Sequence, residues 1–75
     1  MEIEYLVKMA NEIGAFFDAE AGAGAPKEVA RHLHRFWDPR MRRQILEHLA
    51  TDGGHGLHDS ALAAVRLLAE EQKAK

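Results

Sequence analysis

Phe36-Trp37-Asp38-Pro39-Arg40-Met41-Arg42 is the stretch whose reading decides the fold. An aspartate followed by a proline is a strong helix start. The carboxylate caps free backbone N–H groups, and proline, with its fixed φ and missing N–H, suits the first helical position. The same proline pushes the residue before it away from helical angles, so a helix arriving from the N-terminal side stops at about Trp37. These seven residues therefore predict a corner between two helices, with two aromatics at the corner and a cluster of arginines leaving it.

Working outward, the pattern predicts a helix over 26–37, again with proline near its start. Val29, Ala30, Leu33, Phe36 and Trp37 lie on one arc, and Lys27, Glu28, Arg31, His34 and Arg35 on the other. The helix leaving the corner spans 39–51. Met41, Ile45, Leu46, Leu49 and Ala50 form its apolar side, opposite Arg40, Arg43, Gln44, Glu47 and His48, with Arg43 and Glu47 spaced for an ion pair. Upstream, a helix over 2–19 places Ile3, Leu6, Val7, Ala10, Ile13, Gly14 and Phe17 on one face. Glu4, Lys8, Asn11 and Asp18 are polar, and Glu4–Lys8 and Lys8–Glu12 are possible i,i+4 pairs. Tyr5, Met9 and Phe16 form a further stripe roughly 120° from the main one. Downstream, a helix over 58–72 buries Ala61, Leu62, Ala64, Val65, Leu68 and Ala69. Leu57 is placed to staple onto Leu62, Leu67 points away from the buried face, and Glu70 to Lys75 is a tail expected to fray.

Between these helices, Ala19 to Ala25 reads as an Ala/Gly/Glu linker, and Gly53-Gly54-His55-Gly56 as a helix C-cap followed by a turn. No segment alternates with period two, and no internal repeat is present. The expectation is an all-α fold: one domain over 1–75, a compact bundle of about four short helices.

Composition narrows the function. A chain of 75 residues buries only about 60–65% of its unfolded surface, so a partner or very good helix packing has to support it. The absence of cysteine removes disulfides, thiolate metal sites and thiol nucleophiles together. The acidic start Met1-Glu2-Ile3-Glu4 does not resemble a signal peptide, and no apolar run approaches ~18 residues, which reads as a cytoplasmic chain.

The net charge of −2 is unevenly spread. Residues 1–26 hold five acids and one lysine, and 44–75 hold five acids and three cations. Residues 27–43 hold six cations against Glu28 and Asp38, a local +4. Such charges commonly solvate helix faces or complement one another within the fold.

Little catalytic chemistry is legible. His32 and His34 diverge by about 200° on a helix and cannot share an ion, and His55 and His58 have no third ligand at a suitable spacing, so the five histidines read as solvent-facing. Ser60 has no legible base and orienting group. The glycine cluster lacks the Lys-Ser/Thr of a phosphate loop and follows a helix, and so small a bundle does not easily enclose a pocket of ~300 Å³. The expectation is a chain that binds and is not catalytic alone.

Two sets of residues suggest where it binds. Arginines recognise carboxylates or phosphates bidentately, and Trp37 is placed to pack on a guanidinium, so Arg35, Arg40, Arg42 and Arg43 are candidate polar contacts. A pI near 6.2 and the confinement of the basic block argue against nucleic acid. The Tyr5, Met9 and Phe16 stripe, together with Phe36 and Trp37, supplies candidate apolar contacts, aromatics and methionine being enriched at interfaces.

Leu6-Val7-Lys8-Met9-Ala10-Asn11-Glu12-Ile13-Gly14-Ala15-Phe16-Phe17 and His32-Leu33-His34-Arg35-Phe36-Trp37-Asp38-Pro39-Arg40-Met41-Arg42 resemble the delta subunit of soluble, NAD-dependent, molybdenum-containing formate dehydrogenases of bacteria. The likeness continues weakly through Gly56-Leu57 into the last helix. It departs at His58-Asp59, where the family pattern has Asp-Pro, a difference confined to a helix cap. The resemblance implies a small, cofactor-free subunit associated with assembly or stability of the enzyme. Its partners would be the catalytic alpha subunit and the other subunits of the complex, with no membrane involved. The complex would carry bis-molybdopterin guanine dinucleotide, iron–sulfur clusters and flavin. A resident accessory subunit and a transient maturation chaperone, binding the immature catalytic subunit or its cofactor, both remain open on this resemblance.

Overall fold

The Asp38 carboxylate accepts a hydrogen bond from the Met41 backbone N–H at 2.9 Å, and Pro39 opens the helix that follows, so the corner is built as its sequence requires. The computed structural model describes residues 2–73. Within them, α1 spans Ile3–Ala21, α2 Ala25–Phe36, α3 Pro39–Asp52 and α4 Asp59–Lys73, and no strand is present.

The expected linker at Ala19 to Ala25 is not a loop. Helix α1 runs on to Ala21, a 3-10 turn occupies Gly22–Gly24, and α2 follows directly. The backbone thus forms three uninterrupted helical stretches, 3–36, 39–52 and 59–73, and not four separated ones. The alanines favour helix strongly enough to hold the backbone through the tract, while Gly22 takes φ of +53°, which turns the chain between α1 and α2.

Helix α2 packs chiefly against α4 and α1, and α3 leans on both α1 and α4. The core gathers Leu6 and Ala10 of α1, Val29, Ala30 and Leu33 of α2, Trp37 at the corner, Ile45 of α3, and Ala61, Ala64, Val65 and Leu68 of α4. Gly14 is buried where α1 crosses α4: a Cβ at this position would lie 3.5 Å from that of Ala61. The radius of gyration is 11.0 Å, close to the roughly 11 Å expected for a folded chain of this length.

At the end of α3, Gly53 is left-handed with φ of +66° and caps the helix, as the glycine cluster implies. The turn is then closed from the inside. Gly54 is buried, and a Cβ there would come within 2.7 Å of Leu62 Cδ1 and 3.3 Å of Leu57 Cδ1. Leu57 and Leu62 therefore converge on the glycine that only a missing side chain allows them to reach.

Several sequence expectations need correction. Phe36, placed on the buried arc of α2, is 66% exposed, whereas Trp37 is 4% exposed and lies in the core. Helix α2 ends at Phe36, and Trp37 takes extended angles (φ −81°, ψ 139°), so the 100° period no longer applies to the indole. Ala50 is exposed, Leu67 is half-buried against the core, and Glu70 to Lys73 continue α4; Ala74 and Lys75 lie outside the described residues. His32 and His48 are half-buried, not solvent-facing.

The pairs Glu4–Lys8, Lys8–Glu12 and Arg43–Glu47 do not close. The ion pairs among the described residues are Arg31–Glu28 at 3.5 Å and His48–Asp52 at 3.6 Å, the latter counting only when His48 is protonated. Long exposed side chains gain little from being fixed in one geometry. No helix among the described residues is long and apolar enough to cross a membrane.

Candidate functional site

Helix α2 turns Val29, Ala30 and Leu33 inward, which leaves His32 and Phe36, one turn apart, on its outer flank. Helix α1 lies alongside and presents Phe16 and Phe17. The four rings form a continuous series. Phe16 meets Phe17 edge-on at 5.0 Å between centroids, Phe17 meets His32 at 6.1 Å, and His32 tilts against Phe36 at 4.7 Å. The Arg35 guanidinium lies 5.8 Å from the Phe36 centroid, within cation–π range. The two ends of the series are the most exposed: Phe16 is 58% and Phe36 66% exposed.

Phe36 stands between two open clefts. One, of about 530 Å³, is lined by Phe17, Glu28, Arg31, His32, His34, Arg35 and Glu71 as well as Phe36. The other, of about 500 Å³, is mostly apolar, with Met9, Ile13, Trp37 and Met41 around Phe36 and His32, and Glu12 at its border. An exposed aromatic between two clefts suits a surface that interlocks with another surface.

The nine residues singled out in the sequence divide accordingly. The structure brings Met9, Phe16, Arg35 and Phe36 into this one region. Tyr5 is 53% exposed and lies one helical turn before Met9 on α1. Arg40 and Arg43 are exposed on α3, Arg43 in a separate groove with Pro39, Leu46, Glu47 and Gln72. Trp37 is 4% exposed and belongs to the core, and it also contributes to the lining of the apolar cleft.

Arg42 is also put to another use. Its guanidinium donates to the His34 carbonyl at 3.0 Å and to the Trp37 carbonyl, so it satisfies backbone acceptors left open where α2 ends. Two residues of the region were missed: His32, read as solvent-facing, and Phe17, assigned only to the core. The i,i+4 spacing of His32 and Phe36 is the sequence signal that joins them.

The exposed rings and the two clefts beside them offer a binding surface. Ser60 donates its hydroxyl to the Asp18 carboxylate, tying the start of α4 to α1. The His48 ring is hydrogen-bonded to the His55 carbonyl at 2.8 Å and faces Asp52 with its other nitrogen, so it stabilises the turn after α3. Among the described residues, no group of three or more histidines, aspartates or glutamates is gathered closely enough to hold a metal ion.

The profile of one protein family, described as NADH-dependant formate dehydrogenase delta subunit FdsD, matches residues 5–65. The match takes in α1 from Tyr5 onward, α2, α3, the glycine turn and the first half of α4, and so all the residues of the aromatic series. No curated protein and no solved structure matches the chain. The matched span is most of the sequence, and the chain belongs to the family of formate dehydrogenase delta subunits, FdsD.

Proposed function

We propose that this chain is a small, non-catalytic accessory subunit of a soluble NAD-dependent formate dehydrogenase, supporting assembly or stability of the molybdenum-containing catalytic subunit. Its partners in this reading are the catalytic alpha subunit and the other subunits of the complex, in the cytoplasm. The observation that carries the reading is the exposed aromatic surface of α1 and α2, from Phe16 to Phe36, in a chain of the delta-subunit family. Large apolar groups left this exposed on so small a fold cost solubility and are explained by a partner that covers them.

In the proposed complex, bis-molybdopterin guanine dinucleotide, iron–sulfur clusters and flavin reside in other subunits. The side chains present support that division. There is no cysteine to ligate a cluster. A chaperone that grips the immature catalytic subunit through the same aromatic surface is the second reading.

The test is to express the dehydrogenase subunits with and without this chain. Omission is expected to lower the yield, molybdenum content and thermal stability of the catalytic subunit. Equal yield, loading and stability in its absence would overturn the proposal.

A further inference from the structure

We propose that the outer face of α2 docks an acidic segment, carrying an apolar anchor residue, of another subunit of the dehydrogenase. The inference rests on the accessory-subunit reading and adds to it the site and the chemistry of the contact.

The first support is a cationic stripe. Lys27, Arg31 and Arg35 follow one another at i,i+4 spacing, so they lie on one face of α2, and all three are exposed. Like charges at this spacing weaken a helix. Only Arg31 has a carboxylate within ion-pair reach, Glu28 at 3.5 Å; among the described residues Lys27 and Arg35 have none. The fold relieves this repulsion only in part, through Glu28 beside Arg31 and the Phe36 ring near Arg35, and incoming carboxylates would relieve it further.

The second support is the neighbouring aromatic strip. Phe36 lies against the His32 ring at 4.7 Å and 5.8 Å from the Arg35 guanidinium, contacts that restrict the ring and lower the entropy lost when a partner covers it. The cleft beyond it, with Met9, Ile13 and Met41, has room for an apolar side chain, and methionine adapts to irregular shapes.

Charge across the whole chain agrees. An acidic segment is repelled by the chain's acidic ends and drawn to 27–43, the one stretch with a surplus of cations. Glu28 and Glu71 share the lining of the first cleft, so the segment's carboxylates are expected at Arg35, which has no carboxylate within ion-pair reach among the described residues.

The test uses the full dehydrogenase set, co-expressed with the tagged chain carrying photoreactive benzoylphenylalanine in place of Phe36. Irradiation is expected to join it to a peptide of another subunit in which Asp or Glu flank an apolar residue. In parallel, Arg31→Glu/Arg35→Glu is expected to lower recovery of the complex about tenfold or more. Arg66→Glu, at an exposed position of α4, is expected to leave recovery within about twofold of wild type. Circular dichroism confirms that each variant is helical.

Crosslinks only to a second copy of the chain, to nucleic acid, or to a segment lacking acidic residues would overturn the inference. So would undiminished recovery of the charge-reversed variant. If the unmodified chain recovers no dehydrogenase subunit at all, the accessory-subunit reading fails as well. If it recovers the complex and only the α2 variants are without effect, this inference alone fails.

Discussion

The Asn11 side-chain amide donates to the Gly56 carbonyl at 2.9 Å, joining residues 45 apart in sequence. Its carbonyl oxygen accepts from the His58 backbone N–H at 2.8 Å. One side chain on α1 thereby holds both sides of the approach to α4, where the glycine turn would otherwise leave backbone groups without protein partners. Asn11→Ala is expected to destabilise the chain by about 1–2 kcal/mol and to speed amide exchange at residues 53–58 ahead of the helices. Urea unfolding and hydrogen exchange measure the two effects.

Gly54 and Gly14 predict opposite outcomes for the same substitution. At Gly54, φ is +78° and a new Cβ would lie 2.7 Å from Leu62 Cδ1. Gly54→Ala combines backbone strain with overpacking, for a cost of about 2–4 kcal/mol. At Gly14, a Cβ would meet Ala61 backbone N at 3.4 Å and its Cβ at 3.5 Å, an ordinary contact between α1 and α4. Gly14→Ala is expected to be neutral or to stabilise by up to about 1 kcal/mol, since alanine is the better helix former. Thermal melts of the two variants should shift in different directions.

Trp37 is a core residue, and its loss tests the fold before any interface. Trp37→Ala is expected to cost about 3–5 kcal/mol, comparable to the whole stability of a domain this small. The isolated variant should show reduced helicity and no cooperative melt. A well-folded variant would place the indole outside the core.

The arginines at the corner separate by role. Arg40 is exposed at the start of α3, and Arg40→Glu should leave stability within about 0.5 kcal/mol. Arg42 donates to two carbonyls at the end of α2, and Arg42→Glu should cost about 1–3 kcal/mol. Denaturation midpoints of the two single variants distinguish these outcomes, which the double reversal would merge.

How much of this was legible in the sequence follows from the range of each interaction. The corner was legible because its chemistry is local: Asp38 caps an N–H three residues away, and Pro39 acts on its neighbour. The apolar stripe of α1 and the left-handed cap at Gly53 were legible for the same reason. Phe36 and Trp37 were not separable, because helical periodicity assigns both to one arc, and the extended angles of Trp37 alone send the indole inward and leave Phe36 outside. Asn11 and Arg42 looked like surface residues, since nothing local marks an amide or guanidinium that bonds to backbone elsewhere in the fold. Of the expected contact residues, the chemistry was legible and the grouping was not. Phe16, Arg35 and Phe36 meet only because Phe17 and His32 bridge α1 and α2.

The most direct test of the account is a pull-down of the tagged chain from cells expressing the complete dehydrogenase set, followed by activity and molybdenum content of the recovered material. The account predicts active, molybdenum-loaded enzyme with this chain at close to one copy per catalytic subunit. Recovery of only an inactive, cofactor-poor catalytic subunit would contradict residence in the mature enzyme and make the chain a maturation chaperone.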